Sequence, residues 1–298
     1  MALGKSRVLI LGVSGILGHM TWRVFQTRFA EVYATVRKPK AHYEQIPFFQ
    51  AAPKERLTYG IDLTYPERVL PFFDELKPDV IVNCTGVTFR RSEANSYEAN
   101  VRVNALLPHV LNSWCEKNGA RLIHISTDCV FSGKDGGYTE NSIPDARDAY
   151  GRSKAMGEVD YSKNALVIRT SIIGPGIESQ TELLDWFLSQ SGKTVKGFRQ
   201  TIFSGVSTPF LAQTLADLIE KHPSLSGLYQ LASEPISKFD LLVKMRDVYG
   251  VNVDIVPDDQ HVSRKNLDGS RFRDATGIAT PSWDEMLVDV QNVSRKSW

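Results

Sequence analysis

Short β-branched or leucine-rich runs alternate with longer amphipathic stretches through the first 170 residues. This is the rhythm of strands joined by helical crossovers in a parallel sheet covered on both faces. The pattern predicts strands over Arg7–Leu11, Val32–Val36, Leu57–Ile61, Val80–Cys84, Leu122–Ser126 and Ala165–Arg169. Several of these runs are almost wholly apolar, as strands buried on both faces must be. Helices are predicted over Ile16–Phe29, Pro66–Leu76, Ala94–Lys117 and Ala149–Tyr161, each long enough to cross from one parallel strand to the next.

The character changes after Arg169, where Gly174-Pro175-Gly176 breaks the chain and the elements become shorter. Helices are predicted over Glu182–Ser189, Pro209–Lys221, Lys238–Tyr249 and Asp284–Val290, with strands over Leu228–Ala232 and Val253–Val256. There is no internal repeat, low-complexity tract or long linker. The expected organisation is a dinucleotide-binding part over 1–170 and a mainly substrate-binding lobe over 171–298, some of which returns to the first part. A cleft between them would lie inside one compact unit.

Composition narrows the function. The 298 residues carry 35 Lys plus Arg against 34 Asp plus Glu, a formal charge of +1, so no global field draws the chain to nucleic acid or an anionic membrane. A 42% hydrophobic content excludes a disordered chain. Cys84, Cys115 and Cys129 show no metal-ligand spacing. No run approaches the roughly 18 to 20 apolar residues of a spanning helix, and Val8–Leu11 is too short for the core of a signal peptide. A reduced, cytoplasmic enzyme without a structural metal is expected.

The first strand runs into Gly12-Val13-Ser14-Gly15-Ile16-Leu17-Gly18. Glycines at this spacing between strand and helix allow a tight turn and let backbone N–H groups approach a pyrophosphate. About 20 positions on, where a carboxylate would accept from a ribose 2′-OH, this chain has Arg37 and Lys38. A guanidinium there pairs with a 2′-phosphate instead, so NADP is expected over NAD. Asp62 ends the third strand and is expected to accept from the adenine amino group, or else to cap the helix that Pro66 opens. The small residues after Asn83, Cys84-Thr85-Gly86, would let a cofactor lie flat against the sheet edge.

Ser126-Thr127-Asp128-Cys129-Val130-Phe131 is followed by Tyr150-Gly151-Arg152-Ser153-Lys154. In a helix Tyr150 and Lys154 share one face, and an adjacent ammonium lowers the pKa of a phenol toward useful acid–base range. Thr127, at the end of the fifth strand, supplies a hydroxyl for a substrate carbonyl.

With these residues in hand, the chain resembles the extended short-chain dehydrogenase/reductase superfamily. More narrowly it resembles the dTDP-4-dehydrorhamnose reductase family. The motifs are Ser126 to Phe131 with Gly133, Tyr138-Thr139-Glu140, Tyr150 to Lys154 with Gly157-Glu158, Asn83 and Asn104, Arg169-Thr170-Ser171, and Leu228 to Ala232. The resemblance implies an α/β, Rossmann-type doubly wound parallel sheet with a smaller C-terminal α/β substrate-binding lobe. It implies NADPH-dependent reduction of the 4-keto group of a nucleotide-diphosphate-activated 4-keto-6-deoxyhexose, with a homodimer as the assembly to test. Thr127, Tyr150 and Lys154 become the catalytic residues, with Asn104 supporting the lysine through a kinked helix and water. Cofactor contacts fall on Gly12, Ser14, Gly15, Ile16, Leu17, Arg37, Lys38, Asp62, Leu63, Cys84, Thr85, Gly86, Asn104, Tyr150 and Lys154. Substrate contacts fall on Val87, Thr88, Thr127, Asp128, Phe131, Tyr150, Arg199, Thr208, Arg264 and Arg271.

Two stretches depart from the family. After Asn83 the chain has Thr85-Gly86-Val87-Thr88-Phe89-Arg90-Arg91 in place of an alanine-rich turn, and Arg264 to Arg271 lacks the family's late proline. The sugar or the nucleotide is therefore expected to differ from the rhamnose precursor. A dehydratase commonly has an Asp-Glu pair after the threonine, whereas Asp128 precedes Cys129 here. Epimerisation stays open, as does a non-catalytic NADP-binding role like that of a methionine adenosyltransferase regulatory subunit.

Overall fold

The computed structural model describes residues 4–88, 96–178 and 182–295. Seven parallel strands form the central sheet. They are β1 (Gly4–Leu11), β2 (Phe29–Thr35), β3 (Leu57–Thr58), β4 (Val80–Asn83), β5 (Arg121–Thr127), β6 (Ala165–Thr170) and a last strand, Gly227–Gln230. Their spatial order is β3-β2-β1-β4-β5-β6, with Gly227–Gln230 on the outer edge of β6. Alternate side chains enter two separate cores: Val8, Ile10, Val80, Val82, Ile123, Leu166 and Ile168 pack on one face, and Leu9, Leu11, Ile81, Leu122, Ala165 and Val167 on the other. Burial on both faces is why these runs are apolar at every position rather than at every second one.

Several elements differ from the sequence pattern. The first helix, α1, spans only Gly18–Phe25, because Phe29 already opens β2. Strand β3 stops at Thr58, short of a left-handed Gly60 (φ 76°). Two short unpredicted helices, Lys40–Tyr43 and Pro47–Ala51, bring Tyr43, Phe48 and Phe49 into the core.

The long predicted helix from Ala94 begins outside the described residues. From Tyr97 it is one α-turn, then a π-helical stretch over Asn100–Leu106, then an α-helix over Leu107–Asn118. Pro108 has no N–H to give the carbonyl of Asn104, four residues earlier. A Cβ on Gly157 would lie 2.0 Å from that same carbonyl oxygen, so glycine is what lets the next helix sit there. That helix, Ala149–Met156, is capped by Asp148, which accepts from Gly151 N at 2.8 Å.

Past β6 the lobe is built from small sheets and short helices. Thr194–Phe198 pairs with Asp254–Asp258, and Thr201–Phe203 lies between Ile236–Ser237 and Ser263–Arg264. The chain over 208–230 returns to the first part. Its helix Thr208–Glu220 packs on α1, where Arg28 pairs with Asp217 at 2.7 Å and with Glu220. Its strand then completes the main sheet. Among the described residues no helix is long and apolar enough to cross a membrane.

Candidate active site

The carboxyl ends of β1, β4 and β5 open onto a trough, where a topological crevice is expected in such a sheet. Three glycines shape its floor for different reasons. Gly12 is left-handed (φ 82°), and a Cβ there would stand 2.7 Å from Thr85 Cγ2. A Cβ on Gly18 would be 2.2 Å from the Gly12 carbonyl oxygen, so helix and strand touch backbone to backbone. A Cβ on Gly15 would meet nothing closer than Gly12 O at 3.4 Å. The protein itself does not require Gly15, and the open space above it fits a pyrophosphate lying against the backbone.

Two cavities make up the trough. The smaller, about 100 Å³, is lined by Ser14, Arg37, Asp62, Leu63 and Val87. The larger, about 390 Å³, is lined by Ile16, Leu17, Thr88, Thr127, Asp128, Tyr150 and Lys154. Gly15, Cys84, Thr85 and Gly86 belong to both walls, so one elongated ligand would span them. Asp62 does not cap the Pro66 helix; its Oδ1 accepts from Thr64 N at 3.0 Å. Lys38 turns from the trough, with Nζ 3.0 Å from His42 Nε2 and 3.8 Å from Glu178. Arg37 is the basic residue that lines the smaller cavity.

In the larger cavity, Thr127 ends β5, donates to Asp128 Oδ1 at 3.0 Å and accepts from Cys129 N at 3.1 Å. The Tyr150 phenol lines the same cavity as the Thr127 hydroxyl. Burial first, with Cys129, Asp128 and Asp148, holds that phenol well above the usual tyrosine pKa, against the Thr127 hydroxyl. The expected lowering by Lys154 is therefore not what this arrangement shows. Lys154 is itself buried, donates from Nζ to the Ile125 carbonyl at 2.6 Å, and is brought down to about 8 by desolvation, with Glu158 and Cys84 opposing. Burial also raises Asp128, against the pull of Lys265, and pushes the Cys84 and Cys129 thiols up to about 12. Those two cysteines are uncharged thiols in the wall.

Asn104 is fully buried in the π-helical stretch. Its amide clamps the Val87 backbone from both sides, at 2.9 Å to N and 3.0 Å to O. It also donates to Asn100 Oδ1 at 3.1 Å and Ser153 Oγ at 3.2 Å. It thus holds the Lys154 helix one residue before the lysine and fixes the loop after β4.

The expected substrate residues divide. Thr88, Thr127, Asp128 and Tyr150 line the larger cavity, and Val87 the smaller. Five others do not line either. Phe131 is fully buried and stacks on Tyr138 with centroids 4.0 Å apart. Thr208 is fully buried against Gly174 at the start of its helix. Arg199 is exposed and paired with Asp259, Arg264 donates to Gln200 at 2.9 Å, and Arg271 lies over the Tyr229 ring at 4.8 Å. Arg90 and Arg91 lie outside the described residues. Besides Lys154, the basic residues that line the larger cavity are Lys238 and Lys265, which the sequence pattern does not single out. Lys238 Nζ stands 4.3 Å over the Phe203 ring. Among the described residues no group of three or more His, Cys, Asp or Glu is placed to hold a metal ion.

Comparison with known proteins covers nearly the whole chain. The family model described as RmlD substrate binding domain matches residues 6–295. A probable low-salt glycan biosynthesis reductase of Haloferax volcanii is 25% identical over 95% of this chain and 96% of its own length. The methionine adenosyltransferase 2 subunit beta of Rattus norvegicus is 26% identical, over 82% of this chain and 72% of its own. The crystal structure of a hypothetical dTDP-4-dehydrorhamnose reductase from Sulfolobus tokodaii superposes with a TM-score of 0.75 at 27% identity, covering 93% of this chain and 98% of that one.

Proposed function

The chain belongs to the RmlD substrate binding domain family, and from that premise we propose that it uses NADPH to reduce the 4-keto group of a nucleotide-diphosphate-activated 4-keto-6-deoxyhexose. It is an oxidoreductase that works with a nicotinamide dinucleotide, in keeping with the reductases named among its relatives and with the NADP complex of a like-folded dTDP-4-dehydrorhamnose reductase from Bacillus anthracis. The observation that supports the finer reading best is that Thr127, Tyr150 and Lys154 line one cavity, the larger of the two. The glycine loop enters that same cavity through Gly15.

The backbone of Gly12 to Leu17 would hold the pyrophosphate, Arg37 a 2′-phosphate, and Asp62 the adenine. When bound, the dinucleotide supplies the hydride. Tyr150, kept protonated at neutral pH by its surroundings, gives its Oη proton to the carbonyl oxygen as that oxygen gains charge. A phenol that retains its proton suits reduction rather than the reverse oxidation. Thr127, its hydroxyl turned from Asp128 when substrate is bound, donates to the same oxygen, and Lys154 holds the ribose next to it. On the far wall Lys238 and Lys265 balance the diphosphate, which a chain of net charge +1 does not attract globally.

Following NADPH consumption with dTDP-, UDP- and GDP-linked 4-keto-6-deoxyhexoses tests this function. Turnover of at least one substrate is expected. Solvent hydrogen exchange without NADPH consumption would mark an epimerase instead. Tight NADPH binding with no turnover of any kind would move the assignment to a non-catalytic NADP-binding subunit.

A further inference from the structure

His124 meets Lys154 directly and has no part in the chemistry above. It is fully buried in β5, and its register partner on β4 is Asn83. The orientation of the Asn83 amide is fixed at its far end. The Thr85 backbone N–H can only donate, and its acceptor is Asn83 Oδ1 at 3.1 Å. Nδ2 of Asn83 therefore faces His124 Nδ1, also at 3.1 Å, and since an amide nitrogen donates, Nδ1 must accept. Desolvation first, and Lys154 second, hold His124 neutral, well below the usual histidine range. A neutral imidazole whose Nδ1 accepts carries its proton on Nε2. That nitrogen lies 3.5 Å from Lys154 Nζ.

We propose that His124 is a positioning residue for Lys154: locked by Asn83 as the Nε2–H tautomer, it aims an N–H at the lysine nitrogen, fixing its direction and disfavouring its ammonium form. Toward an ammonium this contact is donor against donor; toward a free amine it is a hydrogen bond. The other titratable groups facing Lys154 act the opposite way. Glu158, one turn along, and Cys84, at the end of β4, both favour the ammonium. The Ile125 carbonyl accepts from either form. Thr85 lines both halves of the trough, so Asn83 and His124 form a hydrogen-bonded line from the cofactor wall to the lysine.

The catalytic interest of this line rests on the proposed role of Lys154, but its existence is measured without turnover. In ligand-free protein carrying [13Cε]lysine and [15N]histidine, His124 should show a protonated Nε2 and an unprotonated Nδ1. The Lys154 signal is assigned by its loss in Lys154→Met. Asn83→Asp is isosteric and lets Nδ1–H donate to the new carboxylate, which turns Nε2 into an acceptor. The Lys154 midpoint should then rise by about one pH unit or more. Adding His124→Phe keeps the carboxylate but removes the imidazole acceptor, so the share of the rise that the acceptor supplies should vanish and the midpoint should fall below that of Asn83→Asp. A protonated Nδ1 in the parent protein overturns the proposal, and so does a rise of full size in the double variant. Turnover measured on the same samples separates the two ideas. If Lys154 shifts as expected while the rate does not change, His124 keeps this role and Lys154 loses its place in the proposed reaction.

Discussion

Lys154 donates to the carbonyl of Ile125 at 2.6 Å, two residues before Thr127, so one strand end holds both the ammonium and the hydroxyl of the site. The side chain is buried and strongly desolvated. Lys154→Met should therefore cost turnover and NADPH affinity together, while leaving the thermal midpoint unchanged or higher, because a buried cation is replaced by an apolar chain of similar length. Calorimetric titration and a thermal melt of the same variant check both halves. A folded variant with parental NADPH affinity would remove the lysine from the cofactor site.

Tyr150→Phe deletes one hydroxyl and keeps the ring. Turnover should fall by about 10²- to 10⁴-fold, the usual share of general acid catalysis, with NADPH binding retained. Thr127→Val should cost less, since it supplies a single neutral hydrogen bond. Steady-state kinetics of the two variants ranks them.

Arg37 lines the small cavity with Asp62. If it meets the 2′-phosphate, NADPH should bind about one to two decades more tightly than NADH, from a charge-assisted contact of about 1.5 to 3 kcal/mol. Arg37→Ala should bring the two dissociation constants together. Equal constants in the parent protein would remove the preference.

Lys238→Ala and Lys265→Ala should raise KM for the sugar nucleotide, each by roughly tenfold for a lost charged contact. Arg199→Ala and Arg271→Ala should leave it unchanged, since neither lines the cavity. The reverse pattern would place the diphosphate outside the larger cavity.

Acid should destabilise the fold through His19 before the carboxylates respond. Burial brings this imidazole down to about 4, and its Nδ1 donates to the Gly15 carbonyl at 2.9 Å. The folded pKa lies below the unfolded one, so the stabilisation is whole above pH 6.5 and is lost as pH falls from about 6.5 to about 4. That window is worth about 3 kcal/mol. Urea unfolding across it should show a slope that His19→Gln reduces.

The glycine loop, the strand rhythm and the Tyr150–Lys154 spacing were legible because each is local: a turn, an apolar run, one helical turn. Lys238 and Lys265 were not. Each directly follows a two-residue strand, Ile236–Ser237 or Ser263–Arg264, flanking Thr201–Phe203. Pairings that short have no periodicity to read, and long-range packing alone brings both lysines to one wall. The π-helical stretch was hidden for a related reason. Pro108 marks the place, but Gly157, from another helix, completes it. Arg264 and Arg271 stood out by charge, yet local partners hold them at the surface.

Strand Gly227–Gln230 joins the sheet beside β6 only after the chain has built part of the lobe, and this sets an order of assembly. During synthesis, a nascent chain that has emerged as far as Thr170 has an open strand edge on β6. The face of α1 that receives Thr208–Glu220 is bare as well. The first half is therefore an intermediate with adhesive surfaces rather than a finished module. Ribosomal pausing or truncation between residues 170 and 230 should yield aggregated fragments, and any attempt to transplant the first 170 residues alone must carry the 208–230 segment with it.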